Sequence, residues 1–184
     1  MTRIVAGAAG GRTLQVPRSG TRPTSERVRE ALFSRLEHLG VVRDAEVLDL
    51  YAGSGALGLE AASRGAARVI LVESARPAAG LIRRNAASLE LDVEVVPARV
   101  ETYLAGPPRP SHLALLDPPY DLDDAALARV LERLAAGWLH PDAVVVVERS
   151  RRSPEPAWPA GLSLLDERTY GDTRAWFAEP DAPA

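Results

Sequence analysis

The sequence contains no cysteine and very little histidine. With no cysteine among 184 residues, disulfide bonds and cysteine-based zinc sites are excluded. The three histidines, His38, His112 and His140, are far apart in the sequence and lack the spacing of metal ligands, so we interpret them as structural or surface residues. We therefore expect chemistry that uses neither a thiol nucleophile nor a metal.

Long hydrophobic runs are also missing. No segment approaches the roughly 20 apolar residues of a membrane-spanning helix, and the first residues, MTRIVAGAAGGR, lack the apolar stretch of a signal peptide. The length of 184 residues suits one α/β domain, and 46% apolar with 26% charged residues is an ordinary globular balance. We expect a cytoplasmic protein that acts as a monomer.

Lysine is absent, and all 22 basic residues are arginine. They are unevenly distributed: residues 1–43 hold eight arginines and three glutamates, giving +5, whereas the rest of the chain carries −8, for a net charge of −3. The planar guanidinium group suits bidentate contacts with phosphates and bases. A basic N-terminal arm on an acidic body predicts an electrostatic surface for RNA.

The order of predicted elements indicates an α/β fold. After a short N-terminal β-hairpin and a helix capped by Thr24 or Ser25, strands and helices alternate from residue 46. Repeated βα units predict a Rossmann-like, doubly wound, mostly parallel sheet of seven strands, and the last two, 162–170 and 173–178, form an antiparallel hairpin. We predict a basic hairpin arm at 1–23, a catalytic domain at 24–179 and a frayed tail at 180–184.

A glycine motif follows the first parallel strand. Gly53, Gly55 and Gly58 match G-x-G-x-x-G, and Glu73 comes 20 residues after Gly53, at the end of the next strand. This spacing predicts a nucleotide cofactor but does not distinguish NAD from S-adenosylmethionine. Asp49 favours the second, because a carboxylate before the glycines suits the cationic amino acid and sulfonium better than a pyrophosphate.

A second motif, Asp117-Pro118-Pro119-Tyr120, follows the fourth strand and should lie beside the glycine motif. An exocyclic amine of a nucleobase is a poor nucleophile because its lone pair is delocalised into the ring. The Asp117 carboxylate and the Pro118 carbonyl can accept hydrogen bonds from such an amine, the prolines stiffen the turn, and Tyr120 offers a ring for base stacking. The motif therefore predicts methylation of an amino nitrogen.

The sequence resembles the amino-methyltransferases that carry [DN]-P-P-[YF], and within them the RsmD type, which modifies guanine N2 in 16S ribosomal RNA. Segments spread over nearly the whole chain carry this resemblance: Arg3–Gly7 with Gly11-Arg12, Arg22–Phe33, Leu48–Gly58, Asp117–Tyr120 and Tyr170–Thr173. The resemblance implies S-adenosylmethionine as cofactor and, as substrate, 16S rRNA within the small ribosomal subunit or a late precursor.

The resemblance also implies a role for individual residues. The catalytic residues would be Asp117, Pro118 and Tyr120, and Pro119 with Tyr120 would contact the flipped guanine. The cofactor would be held by Thr24, Asp49, Tyr51, Gly53, Gly55, Glu73 and Arg99. RNA phosphates would be bound by Arg3, Arg12, Arg22, Arg27 and Arg29.

Arg99 departs from the family pattern, which often has Asp or Asn facing the adenine at this place. An arginine side chain cannot accept a hydrogen bond from the adenine amino group, although a backbone carbonyl can replace it.

Three other functions remain open. The same tetrapeptide serves adenine-N6 and cytosine-N4 methyltransferases that act on DNA or another RNA, although the chain has no predicted target-recognition domain. An NAD-dependent oxidoreductase shares the glycine motif, but Asp49, the second motif and the lack of a substrate domain argue against it. A non-catalytic RNA-binding module would not need both motifs intact.

Overall fold

The computed structural model describes residues 2–17 and 24–183. The nine strands of this part are β1 Thr2–Arg3, β2 Thr13–Leu14, β3 Glu46–Leu50, β4 Arg68–Val72, β5 Glu94–Val96, β6 Ser111–Leu116, β7 Leu139–Ser150, β8 Leu162–Tyr170 and β9 Thr173–Pro180. The five helices are α1 Glu26–His38, α2 Ala56–Ser63, α3 Arg76–Leu89, α4 Val100–Leu104 and α5 Asp124–Ala135. In the described ranges, no helix is long and apolar enough to cross a membrane.

Seven strands form one sheet in the order β5-β4-β3-β6-β7-β9-β8. The first five of these are parallel, whereas β9 runs antiparallel to β7 and to β8. This confirms the predicted doubly wound fold with a C-terminal antiparallel hairpin. Because parallel strands all end at the same edge, the loops that follow β3, β4, β6 and β7 meet there; we call it the carboxyl edge.

Helices cover both faces of the sheet and create two apolar layers. One layer includes Phe33 of α1 and Ile82 of α3, and the other includes Leu131 of α5. The helices begin where polar side chains satisfy free backbone N–H groups: Ser25 accepts from the N–H of Val28, and Asp123 accepts from that of Ala126. Ser25, rather than Thr24, is thus the cap of α1, and Thr24 is left for another contact.

The N-terminal hairpin is present, but it belongs to the main body. Ile4 and Leu14 are each only 1% exposed and lie in the same apolar layer as α1 and α3. The N–H groups of Val5 and Ala6 donate to the buried carboxylate of Glu60 at 2.9 and 3.1 Å. The hairpin is therefore anchored to α2 rather than projecting as an arm.

The predicted frayed tail at 180–184 differs from the structure at its first two residues. Pro180 is the last residue of β9 and pairs with Leu162. Asp181 follows it, and its carboxylate accepts from the N–H of Gly161 at 3.1 Å and from the Ser163 hydroxyl. These contacts hold the end of β9 against β8, which the polar composition of the segment did not reveal.

Candidate active site

The glycine motif forms a tight turn between β3 and α2. Gly55 has φ +84° and stands at the N-terminus of α2, where a side chain would be strained. At Gly58 a Cβ would lie 2.6 Å from Leu71 and 2.9 Å from the Asp49 carboxylate, so only glycine lets α2 pack this closely on the sheet. A Cβ at Gly53 would meet no atom within 4 Å, which leaves open space for a ligand on that side.

Glu73 connects the end of β4 to this turn. One carboxylate oxygen accepts from the N–H of Gly53 at 2.8 Å, and the other accepts from the N–H of Ala75 at 2.8 Å. Each oxygen keeps a free lone pair for a hydroxyl group of a ligand. The carboxylate therefore fixes the glycine turn and still presents acceptors beside the open space at Gly53.

Asp49 is buried at the carboxyl edge, with 1% of its surface exposed. One of its oxygens accepts from the N–H of Gly58 at 2.8 Å. Burial, together with the negative charges of Asp117 and Glu73 and against the lowering effect of the Gly58 hydrogen bond, raises the pKa of Asp49 to about 8. A positive charge near Asp49 would stabilise its ionised form and so lower its pKa again.

Tyr51 sits directly between β3 and the glycine turn in an unusual backbone conformation. Its φ of +61° lies in the left-handed region, which is costly for an aromatic residue and is typically retained at functional sites. Its hydroxyl is buried without a hydrogen-bond partner in the described chain, and burial raises its pKa to about 12. The family resemblance implied that Tyr51 contacts the cofactor. In the structure it lies at the glycine turn, where a cofactor would bind.

The second motif follows β6 on the same edge. Pro118 is buried, whereas Tyr120 is 87% exposed, the largest apolar surface that the described residues present to solvent. Asp117 is exposed by surface area, and the chain that packs around its carboxyl group raises its pKa to about 6 by desolvation. The motif thus combines a carboxylate that can hold a proton near neutral pH with an aromatic ring free to stack.

Two residues that sequence reasoning missed complete this region, Glu148 and Arg149 at the end of β7. Leu116 of β6 pairs with Val147, so Glu148 comes beside Asp117 where the strands end. Glu148 is buried and accepts from the Thr24 hydroxyl at 3.2 Å, while its Oε1 atom has no partner among the described residues. Burial, together with the charge of Asp117, raises its pKa to about 8.

Arg149 fixes the loop that carries Tyr120. Its guanidinium donates to the carbonyl of Leu122 at 2.9 Å and lies 4.0 Å from the Asp124 carboxylate. The N–H of Leu122 in turn donates to the carbonyl of Pro119 at 3.0 Å. The rule that found Asp49 and Asp117, namely that functional residues follow strands, also applies to Glu148 and Arg149 after the run Val144–Val147.

Three carboxyl groups therefore crowd one part of the carboxyl edge. Asp49, Asp117 and Glu148 each have a raised pKa, and the charge of Asp117 contributes to the raised values of the other two. Such a site disfavours an anionic ligand such as a pyrophosphate. It fits a ligand that brings positive charge, as the ammonium and sulfonium groups of S-adenosylmethionine do.

The five arginines predicted to bind phosphates are in very different environments. Arg3 pairs with Glu26 at 3.1 Å, and Arg12 pairs with Glu90 at 3.3 Å and donates to carbonyls at the C-terminal end of α3. Arg27 is exposed, and no ion pair engages it within the described ranges. Arg22 lies outside the described residues, as does the rest of the segment 18–23.

The prediction for Arg29 is wrong, because its side chain is 0% exposed and cannot reach a phosphate. Its guanidinium donates to the carbonyls of Thr24 and Arg3 and to the Thr2 hydroxyl, and it lies 3.8 Å from the Glu60 carboxylate. Arg29 therefore ties the N-terminal strand to α1 and α2. Its position in a basic sequence segment concealed this burial.

Arg99 lies at the carboxyl edge, as its place after β5 implied. It is the residue before α4, its side chain is exposed, and it lies 3.7 Å from the Glu101 carboxylate. Nothing directs its guanidinium towards the glycine turn. If Arg99 contacts a ligand there, the backbone is the better candidate, in line with its departure from the family pattern.

Two of the histidines that are distant in sequence, His112 and His140, lie together in the structure, a contact that their spacing did not indicate. His112 and His140 stack with ring centres 4.1 Å apart, and His140 contacts the Glu46 carboxylate at 2.7 Å. This cluster is at the amino ends of β3, β6 and β7, away from the candidate active site. Glu46 also pairs with Arg68 at 3.1 Å, and His112 Nδ1 accepts from the Glu46 N–H, so these groups already satisfy one another.

The chain is similar to known proteins over nearly its whole length. The family model described as Conserved hypothetical protein 95 matches residues 2–179. Ribosomal RNA small subunit methyltransferase D of Escherichia coli K12 is 40% identical over 172 residues, which cover 92% of this chain and 85% of the relative. The Haemophilus influenzae protein of the same name is 36% identical over 177 residues, covering 92% and 89%.

The solved structures agree with the sequence comparison. The chain superposes on yhhF of Escherichia coli, described as a candidate methyltransferase, with a TM-score of 0.88 at 35% identity, and the match covers 99% of each chain. The resemblance in overall fold therefore includes the N-terminal hairpin and the C-terminal antiparallel strands as well as the central sheet.

Proposed function

Because the chain belongs to the family described as Conserved hypothetical protein 95, we propose that it methylates small-subunit ribosomal RNA with S-adenosylmethionine as the methyl donor. The acceptor is the exocyclic N2 atom of a guanine. The single observation that carries the proposal is the meeting of the glycine turn and the Asp117–Tyr120 motif at one sheet edge, among carboxyl groups whose ionised form a positively charged ligand would favour.

The cofactor would be held by the residues around the glycine turn. Glu73 would accept hydrogen bonds from the ribose hydroxyls, and the open side of Gly53 would allow close approach. Asp49 would face the amino-acid end, and Thr24 lies on the same side through its bond with Glu148. When bound, S-adenosylmethionine supplies an electrophilic methyl group on a positively charged sulfur.

The acceptor would be held by the second motif. The Asp117 carboxylate and the Pro118 carbonyl would accept the two amino hydrogens, which withdraws the nitrogen lone pair from the ring and directs it at the methyl carbon. Tyr120, which is largely exposed, would stack on the flipped base. Arg149 would keep this loop in place through its bond to the Leu122 carbonyl.

The reaction requires one proton to leave. S-adenosylmethionine, held by the residues around the glycine turn, would supply the methyl group, and the methylated amine would carry one proton in excess. Asp117, with a pKa of about 6, is placed to receive this proton and to release it to solvent. Neither a thiol nor a metal has a role in this mechanism.

The proposed substrate takes its identity from the relatives, whose names specify the small ribosomal subunit. A protein of 184 residues acting on such a particle would work in the cytoplasm. We propose that the 16S rRNA is recognised within the small subunit or a late precursor, which would supply contacts that a small chain cannot. Adenine-N6 or cytosine-N4 methylation of another nucleic acid is the alternative.

The test is methyl transfer from labelled S-adenosylmethionine to small subunits purified from a strain that lacks this gene, followed by nucleoside analysis of the RNA. We expect N2-methylguanosine. Transfer only to DNA or transfer RNA would be consistent with the proposed mechanism but would contradict small-subunit rRNA as the substrate. A product methylated on adenine or cytosine would favour the alternative.

A further inference from the structure

The two strands β7 and β9 continue beyond the rest of the sheet at the carboxyl edge. The last pair between β6 and β7 is Leu116 with Val147, whereas pairing between β7 and β9 continues to Ser150 and Thr173. Three further residues of β7 therefore project past the end of β6, which is about 10 Å at the rise of an extended strand. This projection stands next to the proposed acceptor site.

Arg151 and Arg152 form the tip of the projection. The turn is fixed by its backbone, because the N–H of Arg151 donates to the carbonyl of Asp172 at 2.8 Å and the N–H of Ser153 donates to that of Ser150 at 2.9 Å. Both arginine side chains are exposed, and across the described ranges no carboxylate lies within 4.0 Å of either guanidinium. The tip thus presents two free positive charges on an ordered turn.

Three arginines beside the projection are already engaged. Arg149 binds the Leu122 carbonyl, Arg168 pairs with Asp166 at 2.9 Å, and Arg174 pairs with Glu167 at 3.2 Å. Arg27, in the first turn of α1, follows closely on Thr24 and so lies near Glu148. It is exposed and unpaired in the described structure, three residues after the Thr24 that bonds to Glu148.

The charges around Tyr120 indicate the direction from which a polyanion approaches. Asp121, Asp123 and Asp124 follow Tyr120, and all three are exposed. They would repel phosphates on the α5 side of the base site. The unpaired Arg27, Arg151 and Arg152 lie on the other side, over β7 and the start of α1, so the charge next to the base site favours a backbone that passes there.

We propose that Arg151 and Arg152, together with Arg27, bind the phosphates that flank the base held at Asp117, and we call these three residues the arginine rim. The inference rests on the proposed function and moves the RNA contacts from the N-terminal arm to the carboxyl edge. Guanidinium groups suit this role because they donate to phosphate oxygens bidentately. The rim orients the RNA without reading its sequence.

The size of the effect follows from counterion release. Each phosphate neutralised on single-stranded nucleic acid contributes about 0.7 to the slope of log affinity against log salt. Loss of both tip arginines should lower the slope by about 1.4 and weaken binding about tenfold near physiological salt. The number of methyl groups transferred per minute at saturating RNA should not change, because neither side chain contacts the reacting atoms.

The experiment compares the Arg151→Gln/Arg152→Gln chain with Arg129→Gln/Arg133→Gln as a matched control. The control removes two exposed, unpaired arginines from α5 and so changes net charge equally. Binding of a fluorescein-labelled single-stranded RNA is measured over a range of salt concentrations, and kcat and KM are measured with small subunits as substrate.

We expect the tip variant alone to show the lower slope and a KM about tenfold higher at unchanged kcat. Equal slopes and equal KM for the two variants, with the wild type active, would overturn the arginine rim and leave the proposed function intact. A wild-type chain that neither binds nor methylates RNA would overturn both.

Discussion

Glu148 links the stability of the protein to pH. Burial raises its pKa to about 8, well above the ordinary value of about 4.3, so the folded state holds its proton more tightly than the unfolded state. Its contribution to stability is therefore complete below about pH 4 and is lost as the pH rises towards 8. Glu148→Gln keeps the shape and the acceptor for Thr24 but cannot ionise.

We expect the melting temperature of Glu148→Gln, relative to wild type, to increase between pH 5 and pH 8 in scanning calorimetry. The variant Asp121→Asn, which alters an exposed carboxyl group on a neighbouring loop, is the control and should show a constant difference. If the Glu148→Gln difference is the same at both pH values, the carboxyl group does not carry the burial cost assigned to it.

The raised pKa of Asp49 predicts that binding of the cofactor releases protons. Its pKa of about 8 means that it is mostly protonated near pH 6.5, and a cationic ligand favours the ionised form. Affinity for S-adenosylmethionine should therefore rise from about pH 5.5 to about pH 7, by at most about tenfold per unit for each proton released. Calorimetry in buffers of different ionisation enthalpy counts these protons, and Asp49→Asn should release fewer.

Sequence reasoning at single positions succeeded where one local rule was enough. Asp49, Glu73 and Asp117 were expected together because each lies at or directly after the end of a parallel strand, and the structure brings them to one edge. Arg29 could not be predicted in the same way, because its burial depends on Glu60, which is 31 residues away in the sequence and on another helix. A sequence shows which residues are charged, but it does not show which residue each charge pairs with in the fold.

The contact between α1, α2 and the N-terminal strand depends on a buried ion pair. Arg29 and Glu60 are both 0% exposed, and Arg64 also bonds to Glu60 at 2.8 Å. Arg29→Ala would leave the Thr2 hydroxyl and two carbonyls without their donor. We expect the free energy of unfolding to fall by roughly 3–5 kcal/mol, the usual cost of removing one partner of a buried pair.

Urea denaturation of Arg29→Ala measures this loss, and the matched control is Arg27→Ala, two residues earlier on the exposed side of α1. The control should change stability by no more than about 0.5 kcal/mol. A wild-type unfolding midpoint for Arg29→Ala, or a weaker RNA salt dependence at unchanged stability, would return Arg29 to the role in RNA binding that the sequence indicated.

At the level of elements, the sequence predicted the order of strands and helices better than their limits. The run Val144–Val147 indicated a strand, but β7 begins at Leu139, which pairs with Ser111 of β6, and continues to Ser150 because β9 supplies backbone partners beyond the end of β6. Local composition cannot show such pairing. The end of β7 carries Glu148 and Arg149 and leads into Arg151 and Arg152 of the arginine rim, so the missed length and these missed residues have one cause.

The molecule as a whole has an acidic net charge but distributes its free arginines unevenly. The N-terminal segment is basic in sequence, yet Arg3, Arg12 and Arg29 are occupied by contacts within the protein. The turn after β7, by contrast, is short and unremarkable in sequence but stands beside the base site. Only the fold separates paired from available charge, which is why composition alone could not show which arginines are available to RNA.

The most direct test of the account is methyl transfer to gene-deleted small subunits by wild type and Asp117→Ala side by side, with Asp121→Ala as control on the same loop. We predict N2-methylguanosine from wild type and control, and a kcat at least about 100-fold lower for Asp117→Ala with unchanged cofactor affinity. Wild-type turnover by Asp117→Ala would contradict the assignment of the carboxyl edge as the methyl-transfer site.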